Sequence, residues 1–271
     1  SLAKKSISIE GFEQKVKDDY GYRVDLETIK SVINNLNFQF YREKENGKLI
    51  AAGEIYNINI VSITDGLITA SPYFTNLLQN NVFKEFLLDT IEYAKLQYTK
   101  KFSIKEFNQG FIYYQKYSRK DVFRILNWKE NPVGLNVGGY IIHPDKLNCP
   151  IFVNYHKEDD ISSTTKYEDE FLNPKTFSWM SKSGRTLKSN DVQTIKKHDE
   201  YGLRIPLFIK KSNDEGDEFY YMGDAEPIAN SFEESILKND KGKDKSVVKV
   251  KFKMNRPVNE ALYSYITAAS E

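Results

Sequence analysis

One stretch in the middle of the chain carries residue types that contact nucleic acid. Between Phe177 and Ser189, a single tryptophan is interleaved with hydroxyl side chains, a glycine and three basic residues. Hydroxyl, lysine and arginine side chains bind backbone phosphates, and a large aromatic ring offers a platform on which a base stacks. The residues expected to contact a DNA backbone are Lys157, Lys166, Ser181, Lys182, Ser183, Arg185, Thr186 and Lys188. The alternative is an exposed loop in which Trp179 covers a protein core.

A second basic run extends from Lys238 to Arg256 and contains an alternating strand with lysines on one face. Such a face suits phosphate contacts, but lysines also line solvated strands and edge strands, where they prevent aggregation. A solvated or edge strand is the interpretation that we favour for this run.

Motifs of several enzyme classes are absent from the sequence. No glycine-rich loop ends in Gly-Lys-Ser/Thr, so a phosphate-binding loop for ATP hydrolysis is missing. The three histidines are scattered, and none begins the His-x-Lys pattern of phospholipase-D-type nucleases. The acidic run 168–170 is not followed by the Glu-x-Lys of a restriction-type nuclease. For His156 with Asp159 and Asp160, a solvated turn is favoured over a metal site. We therefore expect no catalytic residues, no metal and no cofactor.

The charge and the cysteine content of the chain limit how it could bind DNA and in which compartment it is expected. The 271 residues include 39 Lys and Arg against 38 Asp and Glu, a net charge of +1, so DNA contact depends on a local patch. Cys149 is the only cysteine, which excludes an intramolecular disulfide and favours a reducing compartment. No apolar run is long enough to span a membrane, and we expect a cytoplasmic protein. Because the chain opens on Ser1 without an initiator Met, we expect it to be part of a larger protein.

The first half of the chain, residues 1–135, is predicted to form a mainly helical coupler domain. Apolar residues recur at spacings of three and four over 9–36 and again over 74–98, the pattern of helices packed on one face. Residues 111–126 are interpreted as two short helices.

Cap and turn residues place some element boundaries in this half. Asp25 and Ser71 are typical residues at the start of a helix. Residues 38–63 are rich in β-branched side chains, particularly over 54–61, and predict strands. Asn46-Gly47 predicts a tight hairpin turn between two of them.

The second half, residues 136–271, is predicted to form a β-rich DNA-recognition domain. The predicted strands are 151–155, 205–209, 219–222 and 247–254, and the predicted helices are 189–198 and 257–266. The fold class is therefore α+β, with a mainly helical N-terminal half followed by a β-rich curved sheet or barrel with peripheral helices.

Several blocks in the second half carry a resemblance to a known family. The blocks are Pro150–Lys157, Lys166–Phe171, Ser183–Leu187 and Leu207–Ser212, together with Tyr117–Val122, Leu126–Trp128 and Glu215–Gly223. Over residues 110–265, their order resembles the C-terminal region that follows superfamily-two helicases in bacterial defence proteins. The resemblance extends to type IV restriction endonucleases, which join such a region to a helicase motor and a phospholipase-D-type nuclease.

The resemblance implies that this region recognises DNA carrying 5-methylcytosine or 5-hydroxymethylcytosine, while a motor and a nuclease lie elsewhere in the parent chain. The implied partners are double-stranded DNA containing modified cytosine and the helicase and nuclease domains of that chain.

A modified base can be flipped into a pocket, stacked between aromatic rings and held by its Watson–Crick edge. A barrel like the SET-and-RING-associated domain is the expected carrier of such a pocket. The residues expected to form it are Tyr155, Tyr167, Trp179, Tyr220 and Tyr221, with the acids Asp160, Glu168 and Asp169.

Two other functions stay open at this point. The chain is alternatively a docking module that couples the helicase motor to a partner or to the nuclease domains. The other alternative is a nuclease with an unrecognised site.

Overall fold

The computed structural model describes residues 6–102, 106–132, 139–156, 169–238 and 244–268. They belong to two compact units, one comprising 1–105 and 123–131 and the other comprising 106–122 and 132–271. The boundary predicted between residues 135 and 136 concerns independently folding domains, and it stays a prediction. No helix in the described ranges has the length and hydropathy needed to cross a membrane.

The first unit is mainly helical. Its elements are β1 (Ser6–Ser8), α1 (Ile9–Tyr20), α2 (Leu26–Leu36), β2 (Arg42–Glu45), β3 (Lys48–Ala51), α3 (Ala52–Ile55), β4 (Val61–Thr64), β5 (Leu67–Ala70), α4 (Pro72–Leu77) and α5 (Asn81–Phe102). An antiparallel sheet has the order β1-β5-β4, and β2 and β3 form a separate hairpin.

The cap and turn predictions in this unit are confirmed. The carboxylate of Asp25 accepts a hydrogen bond from the amide of Thr28, which caps α2. The Ser71 hydroxyl caps α4 in the same way. Asn46 and Gly47 both have positive φ angles, 49° and 79°, as a tight hairpin turn between β2 and β3 requires.

The prediction of a strand over 54–61 is wrong, because this segment begins in the helical turn α3 and only Val61 enters a strand. Gly53 lies so close to the carbonyl of Asn37 that a Cβ atom would be 2.0 Å from its oxygen. The Asn37 side chain then accepts a hydrogen bond from the amide of Ile60. These contacts hold the chain in a turn despite its β-branched residues.

The second unit is built on one curved sheet. Its elements are β6 (Phe107–Asn108), β7 (Phe111–Ile112), β8 (Lys116–Ser118), α6 (Arg119–Ile125, within which the two units divide), β9 (Ile151–Asn154), β10 (Glu170–Asn173), β11 (Thr176–Met180), α7 (Asn190–Lys196), α8 (His198–Tyr201), β12 (Pro206–Lys210), β13 (Glu218–Pro227), β14 (Glu233–Lys238), β15 (Asp244–Met254) and α9 (Glu260–Thr267).

The eight-stranded sheet has the order β10-β11-β15-β13-β12-β9, with β14 added to β15 and β8 to β13. All pairs are antiparallel except β9 with β12. The sheet is mixed and curls into a half-barrel around a core of buried apolar side chains. The predicted class, α+β with a helical N-terminal half and a β-rich curved sheet, is confirmed.

The prediction of two short helices over 111–126 is wrong for its first part. Residues Phe111–Ile112 and Lys116–Ser118 are strands, and only Arg119–Ile125 is helical. Tyr117 pairs with Phe219 of β13, which lies about a hundred residues later in the chain. Such distant pairing overrides local helical spacing.

Candidate nucleic-acid interface

The segment after β11 is held against the sheet by backbone hydrogen bonds. The Ser181 amide donates to the carbonyl of Val248, and the Ser181 hydroxyl accepts from the amide of Val248, both at 2.9 Å. The Gly184 amide donates to the carbonyl of Ser246 at 2.7 Å. Gly184 is exposed, and its φ of 81° lies in the left-handed region that glycine adopts in such a turn. Ser181 is buried by these bonds, whereas Lys182, Ser183, Arg185 and Thr186 are half-buried.

Arg185 is positioned by a carboxylate in helix α7. Its Nε lies 2.6 Å from Oδ2 of Asp191, and the hydroxyl of Tyr140 donates to the same oxygen at 2.7 Å. Burial opposes the charge on Asp191, but these hydrogen bonds hold the pKa of Asp191 below its usual range. The arginine is therefore presented in one orientation, as bidentate contact with a phosphate requires.

Lys182 adds a second cation beside Arg185. Its Nζ lies 4.6 Å from the centre of the Tyr140 ring. Burial, and then the charge of Arg185, lower the pKa of Lys182. Both cations lie near the single carboxylate of Asp191, which is itself engaged by Arg185 and Tyr140. An incoming phosphate would relieve the repulsion between the two cations.

The rest of the segment forms a short turn that leads into helix α7. The Ser189 hydroxyl accepts from the amide of Thr186, and the Ser189 amide donates back to the carbonyl of Thr186, both at 3.0 Å. The Leu187 amide donates to the carboxylate of Glu234 at 2.7 Å. Lys188 lies within this turn and is exposed. We name Ser181–Lys188 the basic turn. Six of the eight predicted backbone contacts therefore lie in one short segment.

Two of the aromatic residues predicted to form the base pocket lie in the core. Trp179 is 3% exposed, and its ring contacts Tyr140 at 5.0 Å and Phe252 at 5.5 Å between centroids. Tyr221 is fully buried, and its hydroxyl donates to Asp224 at 2.8 Å. Neither ring has a face open to a base in this structure. The burial of Trp179 agrees with the alternative interpretation of this residue, in which it covers a protein core.

Tyr155 and Tyr220 are half-buried at the surface of the same core. The Tyr155 hydroxyl accepts from the amide of Phe171, and burial raises the pKa of Tyr155. The Tyr220 ring lies 4.6 Å below Nζ of Lys116.

Asp169 connects the predicted pocket to the basic turn. Its carboxylate accepts from the amide of Met180 at 2.9 Å, immediately before Ser181. Phe171, the partner of Tyr155, is two residues further along the chain. The structure thus brings Tyr155, Asp169 and the basic turn to one end of the β10–β11 pair. The remaining candidates lie outside the described residues: Lys157, Asp160, Lys166, Tyr167 and Glu168.

The second basic run is largely an interior strand. In β15, Val248, Val250, Phe252 and Met254 are buried, and lysines at 249, 251 and 253 lie on the opposite face. The interpretation of a solvated face is confirmed. An edge strand is wrong, because β15 pairs with β11 on one side and with β13 and β14 on the other. Glu226 and Glu233 pair across from Lys253 and Lys249, which reduces the positive charge of this face.

Tyr140 and Asp191 are site residues that the sequence did not single out. Asp191 lies in the first turn of α7, where an acidic residue is usually attributed to the helix dipole. Tyr140 lies outside the predicted strands and meets Asp191 only through the fold. Among the described residues, no group of three or more His, Cys, Asp or Glu side chains is arranged to hold a metal ion.

Two family models match the chain. Residues 111–266 match the model described as "Domain of unknown function (DUF3427)", and residues 1–101 match "Domain of unknown function (DUF8090)". No curated protein matches the sequence.

Solved structures give distant likenesses. The DNA modification-dependent restriction endonuclease AspBHI is 16% identical, with 48% of this chain and 36% of that chain covered and a TM-score of 0.33. KRYPTONITE in complex with mCHG DNA and SAH is 15% identical, with coverages of 62% and 38% and a TM-score of 0.32. The sulfur binding domain and SRA domain of ScoMcrA, complexed with phosphorothioated DNA, are 8% identical, with coverages of 98% and 85% and a TM-score of 0.36. This chain thus spans little more than a third of the first two proteins, and these TM-scores assign it neither a fold nor a function.

Proposed function

The chain belongs to the DUF3427 family, whose model covers more than half of it, and we propose that it is the DNA-recognition module of a modification-dependent restriction system. In this proposal the chain binds duplex DNA and has no catalytic role. A helicase motor and a nuclease act from other domains of the parent protein.

The basic turn is the observation that carries the proposal. Lys182 and Arg185 are held side by side by the sheet and by Asp191, and Lys188 is exposed next to them. Serine and threonine hydroxyls alternate with these cations, and the backbone makes an exposed turn at Gly184. Cations and hydroxyls on a fixed backbone are the groups that grip DNA phosphates and set the register of a protein on the duplex. Because the whole chain has a net charge of only +1, DNA affinity must come from such a local cluster.

The finer proposal is recognition of 5-methylcytosine or 5-hydroxymethylcytosine by base flipping, as part of a type IV restriction endonuclease resembling SauUSI. It is supported by the resemblance of residues 110–265 to that class of protein. It is also supported by the position of Tyr155 and Asp169 next to the basic turn. An aromatic ring stacks a flipped base, and a carboxylate accepts a hydrogen bond from the exocyclic amine of cytosine.

The salt dependence of duplex binding tests the DNA-binding part of the proposal. With phosphate contacts from Lys182, Arg185 and Lys188, the logarithm of the binding constant should fall against the logarithm of salt concentration with a slope of roughly −2.7. The substitution Arg185→Ala should lower the affinity for modified and unmodified duplexes alike. Binding that is absent, or that does not change with salt, would rule out a DNA-recognition module.

The rival function, a docking module, has one observation in its favour. Large apolar side chains on helix α5 of the first unit are exposed. An apolar docking surface loses little affinity at high salt. Binding to a protein partner that hardly changes in the same salt titration therefore indicates docking, whereas duplex binding that weakens steeply with salt indicates DNA recognition.

A further inference from the structure

Helix α5 packs against its own unit along one face. Phe83 meets Phe74 with ring centroids 6.4 Å apart, and Tyr98 meets Tyr20 at 5.2 Å, both edge to face. Phe83 and Tyr98 are accordingly half-buried, as is Leu87, which lies on the same face between them. The inner face of the helix is therefore accounted for by contacts within the unit.

The outer face carries a second apolar stripe that no described residue covers. Its apolar members are Val82, Phe86, Tyr93 and Leu96, which are 61%, 70%, 62% and 50% exposed. Together with Asp89 and Lys100, they follow one another at alternating spacings of four and three residues. This spacing places all six on one line along the helix, the a and d positions of a coiled coil. We name these six residues the α5 stripe.

Asp89 and Lys100, the two charged members of the α5 stripe, favour an antiparallel over a parallel pairing of two copies. In a parallel, in-register pair, Asp89 would face Asp89 and Lys100 would face Lys100. In an antiparallel pair centred between residues 94 and 95, Asp89 faces Lys100 of the other copy and Tyr93 faces Leu96. Asp89 and Lys100 are both exposed, and neither forms an ion pair with another residue in the described ranges.

From this self-complementary pattern, we propose that the part of the α5 stripe from Asp89 to Lys100 binds the same part of a second copy of this chain in an antiparallel two-helix contact. The contact is isologous, because the two-fold axis pairs each residue with its counterpart in both directions. Tyr93 and Leu96 form its centre, and two Asp89–Lys100 pairs flank them. Only four layers of stripe residues face one another in this pairing, so the dimer is weak and depends on protein concentration. The inference is independent of DNA binding.

Sedimentation equilibrium of the whole chain from about 1 to about 500 µM, a range that resolves micromolar dissociation constants, tests the contact. Wild-type protein should pass from monomer to dimer within this range. Asp89→Lys alone and Lys100→Asp alone place like charges opposite each other, and each should raise the dissociation constant at least tenfold. The double swap Asp89→Lys with Lys100→Asp restores opposite charges and should restore the dimer.

The control is Leu88→Glu, which adds a charge on α5 outside the α5 stripe and should leave the dimer intact. Tyr93→Glu, at the centre of the stripe, should abolish it. Circular dichroism checks that each variant stays helical, as substitutions at exposed positions should. A chain that is monomeric at every concentration overturns the proposal and leaves the stripe to a different partner. A dimer that survives Tyr93→Glu, or a double swap that does not restore it, also overturns the proposal.

Discussion

The hydroxyl of Tyr155 accepts a hydrogen bond from the backbone amide of Phe171 at 3.2 Å, and the two rings stack with centroids 6.2 Å apart. Tyr155 directly follows β9 and Phe171 lies in β10, the two strands at opposite ends of the sheet order. The curled sheet therefore brings its own edges together at this pair. The basic turn begins at the same end of the β10–β11 pair, so the closure also fixes the position of the proposed DNA contact.

We expect Tyr155→Phe to lower the free energy of unfolding by about 1 kcal/mol, because it leaves the amide of Phe171 without its acceptor. The ring and its packing on Phe171 are retained, so the loss reports the hydrogen bond alone. Denaturant unfolding measures the change. Tyr201→Phe is the matched control, since that ring is exposed and its loss of a hydroxyl should change stability little. Equal effects of the two substitutions would refute the closing role of Tyr155.

Trp179→Ala should unfold or strongly destabilise the second unit. The ring is buried against Tyr140 and Phe252, and replacing a buried tryptophan by alanine costs about 3–5 kcal/mol. The measurement is the thermal unfolding transition followed by circular dichroism. A stable variant that binds DNA but no longer distinguishes modified cytosine would instead assign Trp179 to the base pocket.

Lys182→Met should weaken DNA binding and stabilise the fold at neutral pH. Because burial holds the pKa of Lys182 below its usual value of 10.5, the charged form opposes folding at neutral pH. That penalty shrinks as the pH rises through the folded-state pKa, so the stability difference between variant and wild type should narrow toward pH 10.5. The salt slope for duplex binding should become less steep by about 0.9, the value of one phosphate contact.

The control for this substitution is Lys175→Met, an exposed lysine just before the other end of β11. It should leave both the salt slope and the unfolding temperature close to wild type. If the two variants bind DNA equally well, Lys182 does not contact phosphate.

Asp191→Asn should destabilise the fold by about 1–3 kcal/mol at pH 7, since Arg185 loses its charged partner and Tyr140 a charged acceptor. The folded-state pKa of Asp191 lies below its usual 3.8, so its contribution is complete above that pH and is lost as the pH falls through the folded-state value. Urea unfolding at neutral and acidic pH should therefore show the difference from wild type shrinking in acid. A difference that is unchanged in acid would mean that the charge of Asp191 is not what anchors Arg185.

The sequence predicted correctly those turns and helix starts that are determined by residues close together in the chain. Asn46-Gly47 specifies its hairpin turn, and Asp25 specifies its helix start, since each acts within four residues. The strand expected over 54–61 does not form. Gly53 is held against Asn37, and this contact is made by residues outside the segment itself.

The sequence predicted the charged and hydroxyl residues of the candidate site, but it did not predict the residues that hold them in place. The lysines, the arginine and the hydroxyls of the basic turn are visible as a cluster in the sequence. The alternation of Phe177, Ser178 and Trp179 is a strand signal, and it explains why Trp179 is buried. The anchor formed by Tyr140 and Asp191 spans about fifty residues and exists only once the sheet has formed.

Binding to two duplexes that differ only in one 5-methylcytosine tests the central proposal most directly. Fluorescence anisotropy at one fixed salt concentration gives both dissociation constants. A pocket that accommodates the methyl group should bind the modified duplex about tenfold more tightly. Equal affinity for the two duplexes, however strong, would contradict recognition of modified cytosine.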